Sequence, residues 1–547
     1  MTRQKKQHNN IILSIGWWNL YFIIKVFLYL KGSIDFHPIE NFSFLAFLLL
    51  PINHSLLNII KQVSAFPLAL FLLYYDAYFP PISQLWNNIA QISQFDNDYL
   101  YIIIKRSIST KLLLSIFTLS VFYYLMKRYI KITVLTISLL IFVSTPLKSF
   151  LLTNEYSLPQ KMTPSNNALI IAPTENITTP LITNDVTLNE LKNDFFSSQA
   201  KKIIPIENNN INAPFDILIL SICSLAWNDL KMTKLSSHPI FNSFDIMFDN
   251  FNSATSYSGP ALIRLLRANC GQETHEQLFE NPTSNECYLF ENLKKIGFNE
   301  NLLLNHDAIY DSFLNKLQEN GKLDTQPIKT THLPPYLKSF DGSIIFRDKD
   351  VLNLWWSKRR SIKNNNIVAL YNTISLHDGN RIINTDTLSN INSYQLRLKN
   401  LLDDLYQFFK QLNQSKRKLV VLLIPEHGAN LKGDQFQIPG MREIPSPAII
   451  NIPVGIKFFG YQQEKKYAPL MINAPSSYLA IAKLISNLMK NSTYQSETIE
   501  VEQLAKDLPI TPIVAQNAST TLMKIQNTFY ISLNDDSWIE YQTENLD

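Results

Sequence analysis

The stretch "FDILILSICSLAWNDL", residues 215–230, begins with a mainly apolar run that ends at Cys223, and polar residues appear after it. A continuous apolar run of this length is typical of a strand buried on both faces, as in a parallel sheet covered by helices. Comparable runs follow at 365–376 ("NNIVALYNTISL"), 418–425 ("KLVVLLIP") and 453–460 ("PVGIKFFG"). The sequence therefore predicts several buried strands in the second half of the chain.

Helical patterns separate these predicted strands. The segment "GPALIRLLRA" (259–268) places Leu262, Leu265 and Leu266 on one helix face, and 394–412 and 475–490 have patterns of the same kind. Strands that alternate with helices favour an α/β domain with a mostly parallel central sheet. We place this domain at 213–547 and predict a β-hairpin near its end, at 520–541.

The first 150 residues have a different character. Only 17% of the 547 residues are charged and 12% are aromatic, a balance that points to a membrane protein. Five hydrophobic segments are candidate membrane-spanning helices: 11–30, 42–60, 64–82, 111–126 and 132–147. We therefore predict a polytopic helical domain at 1–150 and a polar linker at 151–212. The net charge of +4 is too small for this length to indicate nucleic-acid binding.

The orientation of these segments follows from their basic flanks. The start "MTRQKKQ" and the loop "MKRYIK" at 126–131 are basic and are expected on the cytoplasmic side. Five spans then place everything after residue 150 outside the cytoplasm. Lys105, Arg106 and Lys111 fall on the outer side in this scheme and count against it. The hydrophobic half is interpreted as a simple anchor, or alternatively as a lipid-binding or partner-binding domain.

Three of the apolar runs end in residues that carry chemistry. Residues 215–222 lead into Cys223, 365–376 lead into His377, and 418–425 lead into Glu426 and His427. The carboxyl ends of parallel strands meet at one edge of a sheet, where ligands bind. Thiolate, carboxylate and imidazole together make a plausible zinc shell. The alternative is a loop with a surface carboxylate and a histidine satisfied by backbone.

Ser258 precedes Gly259, Pro260 and the amphipathic helix pattern. Pro suits the first turn of a helix, so Ser258 is placed as the N-cap. One interpretation is that Ser258 is only a cap. The other is a nucleophile at a helix N-terminus, where free N–H groups stabilise a phosphoryl group and a metal ion activates the hydroxyl.

The chain has three cysteines. Cys270 and Cys287 enclose a loop short enough for a favourable disulfide in an oxidising compartment. We expect these two to pair and Cys223 to remain free as a metal-bound thiolate. The alternative for Cys223 is a buried structural thiol, which is common for cysteine.

Four segments resemble a known family: 221–230 ("SICSLAWNDL"), 251–272 ("FNSATSYSGPALIRLLRANCGQ"), 424–434 ("IPEHGANLKGD") and 441–460 ("MREIPSPAIINIPVGIKFFG"). They are similar to the membrane-anchored phosphoethanolamine transferases of the alkaline phosphatase superfamily. In most of that family the first strand ends in an acidic residue, the nucleophile is threonine, and Asp-His follows the later strand. Cys223, Ser258 and Glu426-His427 stand in those places here, which matches the branch that acts in cellulose biosynthesis.

The resemblance implies an alkaline-phosphatase-like α/β/α domain in the periplasm, carried by a multi-pass anchor in the bacterial inner membrane. It implies Zn²⁺ as the cofactor, with Cys223, Ser258, Glu426 and His427 as ligands. Ser258 would attack phosphatidylethanolamine, and the phosphoethanolamine group would pass from that serine to a glucose 6-hydroxyl of cellulose. Association with a cellulose synthase complex is also implied.

Further roles are assigned to three neighbours of this set. His377 is placed to donate or accept the proton of the leaving or attacking oxygen. Tyr257 and Arg442 are candidates to bind phosphoryl oxygens, Arg442 through its planar guanidinium. The alternatives are that Tyr257 is a core residue and that Arg442 forms a surface ion pair.

Other polar and aromatic residues carry weaker hypotheses. Trp355 and Trp356, beside three basic residues, are a possible platform for glucan rings, although one of them is expected in the core. His332 is a possible site residue without an assigned role.

Another envelope glycan or lipid A is the alternative acceptor for the same transfer, and two competing functions are also considered. The first is a hydrolase of the same fold, but "SYSGPALIR" lacks the sulfatase spacing and the predicted ligands serve only one metal. The second is a non-enzymatic scaffold of a cellulose synthase complex, which the intact set of candidate ligands argues against.

Overall fold

The computed structural model describes residues 15–31, 34–52, 54–77, 93–107, 110–129, 131–145, 184–206, 215–280, 282–362, 366–385, 391–462, 468–490, 496–533 and 537–542. The chain divides into two compact units, 1–79 with 108–182, and 80–107 with 183–547. The basic segment 1–7 and most of the predicted linker lie outside the described residues.

The helices of the described residues are α1 (Trp18–Leu30), α2 (Pro38–Leu49), α3 (Ser55–Asp76), α4 (Asn97–Ser107), α5 (Thr110–Met126), α6 (Ile132–Ser144), α7 (Asp185–Gln199), α8 (Trp227–Met232), α9 (Ser258–Leu266), α10 (Gln277–Glu280), α11 (Leu289–Lys295), α12 (Phe313–Gly321), α13 (Asp348–Arg359), α14 (Ile391–Asn413), α15 (Pro447–Ile450), α16 (Tyr478–Lys490) and α17 (Val501–Leu504). The strands are β1 (Phe215–Ile222), β2 (Ile246–Asn252), β3 (Phe298–Leu304), β4 (Pro335–Lys338), β5 (Ile344–Phe346), β6 (Asn366–Thr373), β7 (Arg381–Ile382), β8 (Lys418–Leu423), β9 (Asn451–Phe459), β10 (Leu470–Ile472), β11 (Val514–Gln516), β12 (Thr520–Ile525), β13 (Thr528–Leu533) and β14 (Trp538–Tyr541).

The first unit contains the apolar helices α1, α2, α3, α5 and α6. Among the described residues, only α3, with 22 residues, is long and apolar enough to cross a membrane. The predicted boundaries of the second and third segments were wrong. The chain breaks between α2 and α3, next to Pro51, whereas Pro67 lies inside α3. A proline has no N–H to donate and usually ends a helix, but α3 continues through this one.

The second unit is built on a seven-stranded sheet in the order β10-β2-β9-β8-β1-β6-β3. Strands β8, β1, β6 and β3 are parallel neighbours, β10 is parallel to β2, and β9 is antiparallel to both β2 and β8. The sheet is therefore mixed. The four strands predicted from apolar runs are all present, and β1 and β6 are buried along their whole length, as expected for central strands.

Helices cover both faces of this sheet. Helices α9, α11 and α16 supply one hydrophobic core, to which Leu262, Leu265 and Leu266 contribute as predicted. Helices α13 and α14 pack against the other face of the sheet. With the strand side chains that point to that face, they form a second hydrophobic core. Trp355 and Trp356 belong to that second core and are each only 3% exposed. The hypothesis that they form a platform for sugars was wrong, since both are packed inside the protein.

Two smaller sheets complete the second unit. Strands β11 to β14 form an antiparallel sheet in sequence order, so the predicted hairpin at 520–541 is present and extends to a third strand. Strands β5, β4 and β7 form the other.

Two segments fall differently from the predicted division of the chain. Residues 80–107, expected in the hydrophobic domain, belong to the second compact unit, and α4 is their described helix. Within the predicted linker, residues 185–199 form helix α7, with the Asn184 side chain accepting a hydrogen bond from the Thr187 N–H as its N-cap.

Candidate metal and catalytic site

Strand register brings the chemically active chain segments together. Leu220 of β1 lies opposite Tyr371 of β6 on one side and Leu423 of β8 on the other. Cys223 lies three residues after Leu220, and Glu426 lies three residues after Leu423. Both residues therefore lie at the same carboxyl edge of the sheet. A bridge between Cys223 and His427 continues the pairing beyond the strands.

Cys223, Glu426 and His427 form a buried cluster of candidate metal ligands. One donor atom from each, the thiol Sγ, a carboxylate oxygen and an imidazole nitrogen, lies within 4.8 Å of the others. Glu426 Oε1 accepts a hydrogen bond from Asn372 Nδ2, whereas the buried Oε2 lacks a well-directed hydrogen-bond partner among the described residues. A buried carboxylate oxygen left in this state costs free energy unless a cation meets it. The donor set therefore fits a metal ion such as zinc.

The protonation of the cluster fits the same conclusion. The Nδ1 atom of His427 lies 2.9 Å from its hydrogen-bond partner, the Gly428 carbonyl oxygen, which directs the Nε2 lone pair at Cys223 and Ser258. Burial lowers the pKa of His427 well below its ordinary value, so the ring is neutral. Burial, together with the Glu426 charge, raises the pKa of the Cys223 thiol to about 11. Cys223 is therefore deprotonated at neutral pH only if a cation lies beside it and offsets the charge of Glu426.

Ser258 is the first residue of α9 and lies at the same cluster. Its Oγ is 3.2 Å from Cys223 Sγ and 3.3 Å from His427 Nε2. The predicted N-cap role was wrong: Tyr257 is the N-cap residue, and its carbonyl accepts the Ala261 N–H. The Ser258 hydroxyl is therefore directed at the candidate ligands and not at the helix backbone.

The two neighbouring hydroxyls point elsewhere. Thr255 Oγ1 donates to Asn517 Oδ1 at 2.8 Å, and Ser256 Oγ donates to the Arg442 carbonyl. The hydroxyl of Ser258 is thus the one from the segment 255–258 that reaches the cluster.

Arg442 and His377 lie next to the cluster. Arg442 Nη1 donates to Ser224 Oγ at 2.8 Å and lies 3.4 Å from His427 Nδ1, while Nη2 is 3.3 Å from His377 Nε2. Arg442 has no carboxylate partner among the described residues, so the predicted alternative of a surface ion pair was wrong. Burial and the Arg442 charge lower the pKa of His377 to about 3, which leaves the imidazole neutral.

His377 is oriented through its neighbour Asp378. The Nδ1 atom of His377 lies 2.8 Å from the Asp378 carbonyl oxygen, which leaves Nε2 as the free base. The Asp378 carboxylate accepts two hydrogen bonds from Arg106, at 2.7 and 2.9 Å, and one from Tyr99 Oη at 2.9 Å. Burial by itself would raise the pKa of Asp378, but the hydrogen bonds and charge of Arg106 outweigh burial and lower it to about 2.

Tyr257 lies beside the nucleophile candidate, and its hydroxyl binds a carboxylate rather than the candidate metal ligands. Its Oη donates to Glu443 Oε2 at 2.6 Å, and the residue is 36% exposed, so Tyr257 is not a core residue. His332 is exposed in a turn before β4 and is not part of the cluster.

The cysteines divide as expected. Cys270 and Cys287 form a disulfide, and Cys223 is free and buried. The disulfide links the end of the α9 region to the segment before α11.

Family models match both halves of the chain. The model described as the N-terminal domain of cellulose biosynthesis protein BcsG matches residues 18–145, and the model of the BcsG C-terminal domain matches residues 172–538. The chain belongs to the BcsG family. The proteins named cellulose biosynthesis protein BcsG from Escherichia coli (strain K12) and Salmonella typhimurium (strain LT2) are 36% and 35% identical to it. Each alignment spans 543 residues and 96% of both chains.

One solved structure similar to this BcsG-family chain is that of a protein in the alkaline phosphatase superfamily from Vibrio parahaemolyticus. Its TM-score is 0.45, with 14% identity over 64% of this chain and 87% of that chain. A match of this strength carries no functional conclusion.

Several residues of the candidate site were missed from the sequence. Asn372 lies inside β6, Ser224 follows Cys223, and Arg106 is 272 positions from its partner Asp378. Asp378 was not missed, because it follows His377 directly after an apolar run and so stands at the predicted edge where sites form.

Proposed function

We propose that the chain is a zinc-dependent phosphoethanolamine transferase of cellulose biosynthesis. It transfers phosphoethanolamine from phosphatidylethanolamine to the glucose 6-hydroxyl of cellulose through a covalent intermediate on Ser258. Membership of the BcsG family supports the link to cellulose biosynthesis. The geometry of Ser258 supports the reaction class.

The observation that carries this proposal is the position of one hydroxyl. Ser258 Oγ lies at the N-terminus of α9, within 3.3 Å of donor atoms of Cys223 and His427. Free N–H groups at a helix N-terminus favour a bound phosphoryl group. The guanidinium of Arg442 beside them adds a positive charge that suits phosphoryl oxygens.

Zinc would be held by Cys223, Glu426, His427 and Ser258, and would supply Lewis-acid activation of the serine hydroxyl together with charge for the phosphoryl group. Asn372 orients the Glu426 carboxylate, and the Gly428 carbonyl orients the His427 ring. Burial of Cys223, Glu426 and His427 excludes water from the ligand set.

The reaction is a double displacement. Ser258 Oγ forms a bond to phosphorus as the bond from phosphorus to the glycerol oxygen breaks, and the serine proton ends on the diacylglycerol hydroxyl. In the second half, the acceptor hydroxyl oxygen bonds to phosphorus, the bond to Ser258 Oγ breaks, and the acceptor's proton returns to the serine. His377, neutral and with Nε2 as its free base, holds the proton between donor and acceptor.

The proposal includes a location: a multi-pass protein of the bacterial inner membrane with its catalytic unit in the periplasm. Helix α3 supports a membrane anchor by its length and apolar composition. The disulfide between Cys270 and Cys287 supports an oxidising compartment for the second unit. Association with a cellulose synthase complex completes the proposal.

The test uses the purified full chain with phosphatidylethanolamine vesicles. Intact mass and peptide mapping are expected to show one added phosphoethanolamine group on Ser258, and cello-oligosaccharide is expected to remove it. Ser258→Ala is expected to form no adduct, whereas the matched variants Thr255→Ala and Ser256→Ala retain it. An adduct on another residue contradicts the nucleophile, and release to water at an equal rate without the sugar favours a hydrolase.

A further inference from the structure

Among the residues that the structure describes, the side chains that hold the Glu443 carboxylate are hydroxyl donors. Its Oε2 accepts from Tyr257 Oη at 2.6 Å, and its Oε1 accepts from Ser519 Oγ at 3.2 Å. Among the described residues it forms no ion pair. The adjacent Arg442 does not neutralise it, since that guanidinium is turned to Ser224 and His377.

This carboxylate is fixed to the segment that carries the nucleophile. The Glu443 carbonyl accepts from Asn517 Nδ2 at 2.6 Å and from Thr520 Oγ1 at 2.8 Å. The same Asn517 side chain accepts from Thr255 Oγ1 and donates to Ser256 Oγ at 2.7 Å. A single side chain therefore ties the position of Glu443 to the residues immediately before Ser258.

The ring of Tyr257 borders the same place. Tyr257 directly precedes Ser258 and is 36% exposed, while its hydroxyl is occupied by Glu443. A half-exposed aromatic ring attracts a cation to its face, and a carboxylate accepts strong hydrogen bonds from an ammonium group. Together, Tyr257 and Glu443 form a negatively charged surface that accepts hydrogen bonds, and Tyr257 is the residue directly before the nucleophile.

We propose that Glu443 and Tyr257 form the subsite for the primary ammonium group of the donor. In a phosphoethanolamine ester, two methylene groups separate the phosphoester oxygen from the ammonium nitrogen, so phosphorus at Ser258 places the ammonium among the residues beside it. The subsite selects a primary amine, because a quaternary ammonium has no N–H to donate. This inference rests on the proposed transferase function and assigns the residue that decides which head group is transferred.

The test compares two chromogenic donors on the full chain loaded with zinc. They are p-nitrophenyl phosphoethanolamine and p-nitrophenyl propyl phosphate, in which a methyl group replaces the ammonium. The wild-type chain is expected to prefer the first in kcat/KM. Glu443→Gln keeps an oxygen that accepts from Tyr257 and removes the charge, so the preference is expected to fall by about 10- to 100-fold, the range for a charged hydrogen bond.

The control is Glu497→Gln, which removes a carboxylate paired with Lys418 at the amino end of β8, the edge opposite the site. Its preference is expected to equal that of the wild type. The inference is overturned if Glu443→Gln retains the preference, or if it slows both donors equally, as a structural role would. If the wild type uses both donors equally, the subsite is wrong but the transferase stands. If it forms no adduct on Ser258 with either donor, both proposals fail.

Discussion

Arg106 and Asp378 form a two-point ion pair between α4 and the turn that carries His377. Arg106 Nη1 lies 2.7 Å from Asp378 Oδ2, and Nη2 lies 2.9 Å from Oδ1. Both side chains are largely buried, with 21% and 18% of their surface exposed. Arg106 was expected to conflict with the charge rule for membrane orientation, and this pairing gives its charge a function within the second unit.

Removing Arg106 is expected to reduce both stability and turnover. Arg106→Gln removes the ion pair and its two charged hydrogen bonds to the buried Asp378 carboxylate, which is expected to lower the free energy of unfolding by about 1–3 kcal/mol. Turnover is expected to fall about tenfold or more, because the Asp378 carbonyl orients His377. Chemical unfolding and donor turnover of the full chain measure the two effects. Lys105→Gln, an exposed change on the same helix, is the control, and an equal effect there would contradict the role of Arg106.

The ion pair also predicts a dependence of stability on pH. The folded pKa of Asp378, about 2, is below the unfolded value near 3.8, so its contribution is present above pH 4 and is lost as pH falls toward 2. Two pKa units correspond to about 2–3 kcal/mol. The difference in unfolding free energy between wild type and Asp378→Asn is therefore expected to shrink between pH 5 and pH 2.5. A difference that is constant with pH would contradict the assignment.

Metal content tests the ligand set directly. The purified full chain is expected to hold about one zinc ion, and Cys223→Ser is expected to bind it more weakly because the soft thiolate is lost. Glu426→Gln is expected to act in the same direction, with Glu497→Gln as the matched control. Elemental analysis after dialysis against a weak chelator measures occupancy. Full zinc occupancy in Cys223→Ser would contradict the assignment of Cys223 as a ligand.

The state of the three thiols provides an independent test. Without reductant, an alkylating reagent is expected to label only Cys223, and only after the metal is removed and the chain is unfolded, because this thiol is buried. Cys270 and Cys287 are expected to become reactive only after reduction. Peptide mass spectrometry distinguishes the sites, and labelling of all three without reductant would place the second unit in a reducing compartment.

His377 is expected to act on protons without binding the metal. His377→Ala should retain zinc and lose turnover by about 10²–10⁴-fold, the usual contribution of acid–base catalysis. His332→Ala, an exposed histidine outside the cluster, is the control and should behave like the wild type. Loss of zinc in His377→Ala would instead make it a ligand or a support of the ligands.

The central strands and the residues at their ends could be predicted from the sequence alone. Runs such as 215–222 and 418–425 are apolar throughout because both faces of a central strand are buried, and this pattern is visible without a structure. Parallel neighbours share a carboxyl edge, so the meeting of Cys223 with Glu426 and His427 could also be predicted.

The contacts between distant or weakly patterned segments could be seen only in the folded chain. Arg106 pairs with Asp378 across 272 positions, and Asn517 ties Glu443 to the nucleophile segment across 261. The pattern of apolar residues along the sequence does not predict such contacts, because they depend on how distant helices, strands and loops pack against one another. The direction of the Ser258 hydroxyl also depends on packing. Local rules favour a serine as the N-cap, but Tyr257 takes that position here. The Ser258 hydroxyl instead contacts Cys223 and His427, which follow strands β1 and β8.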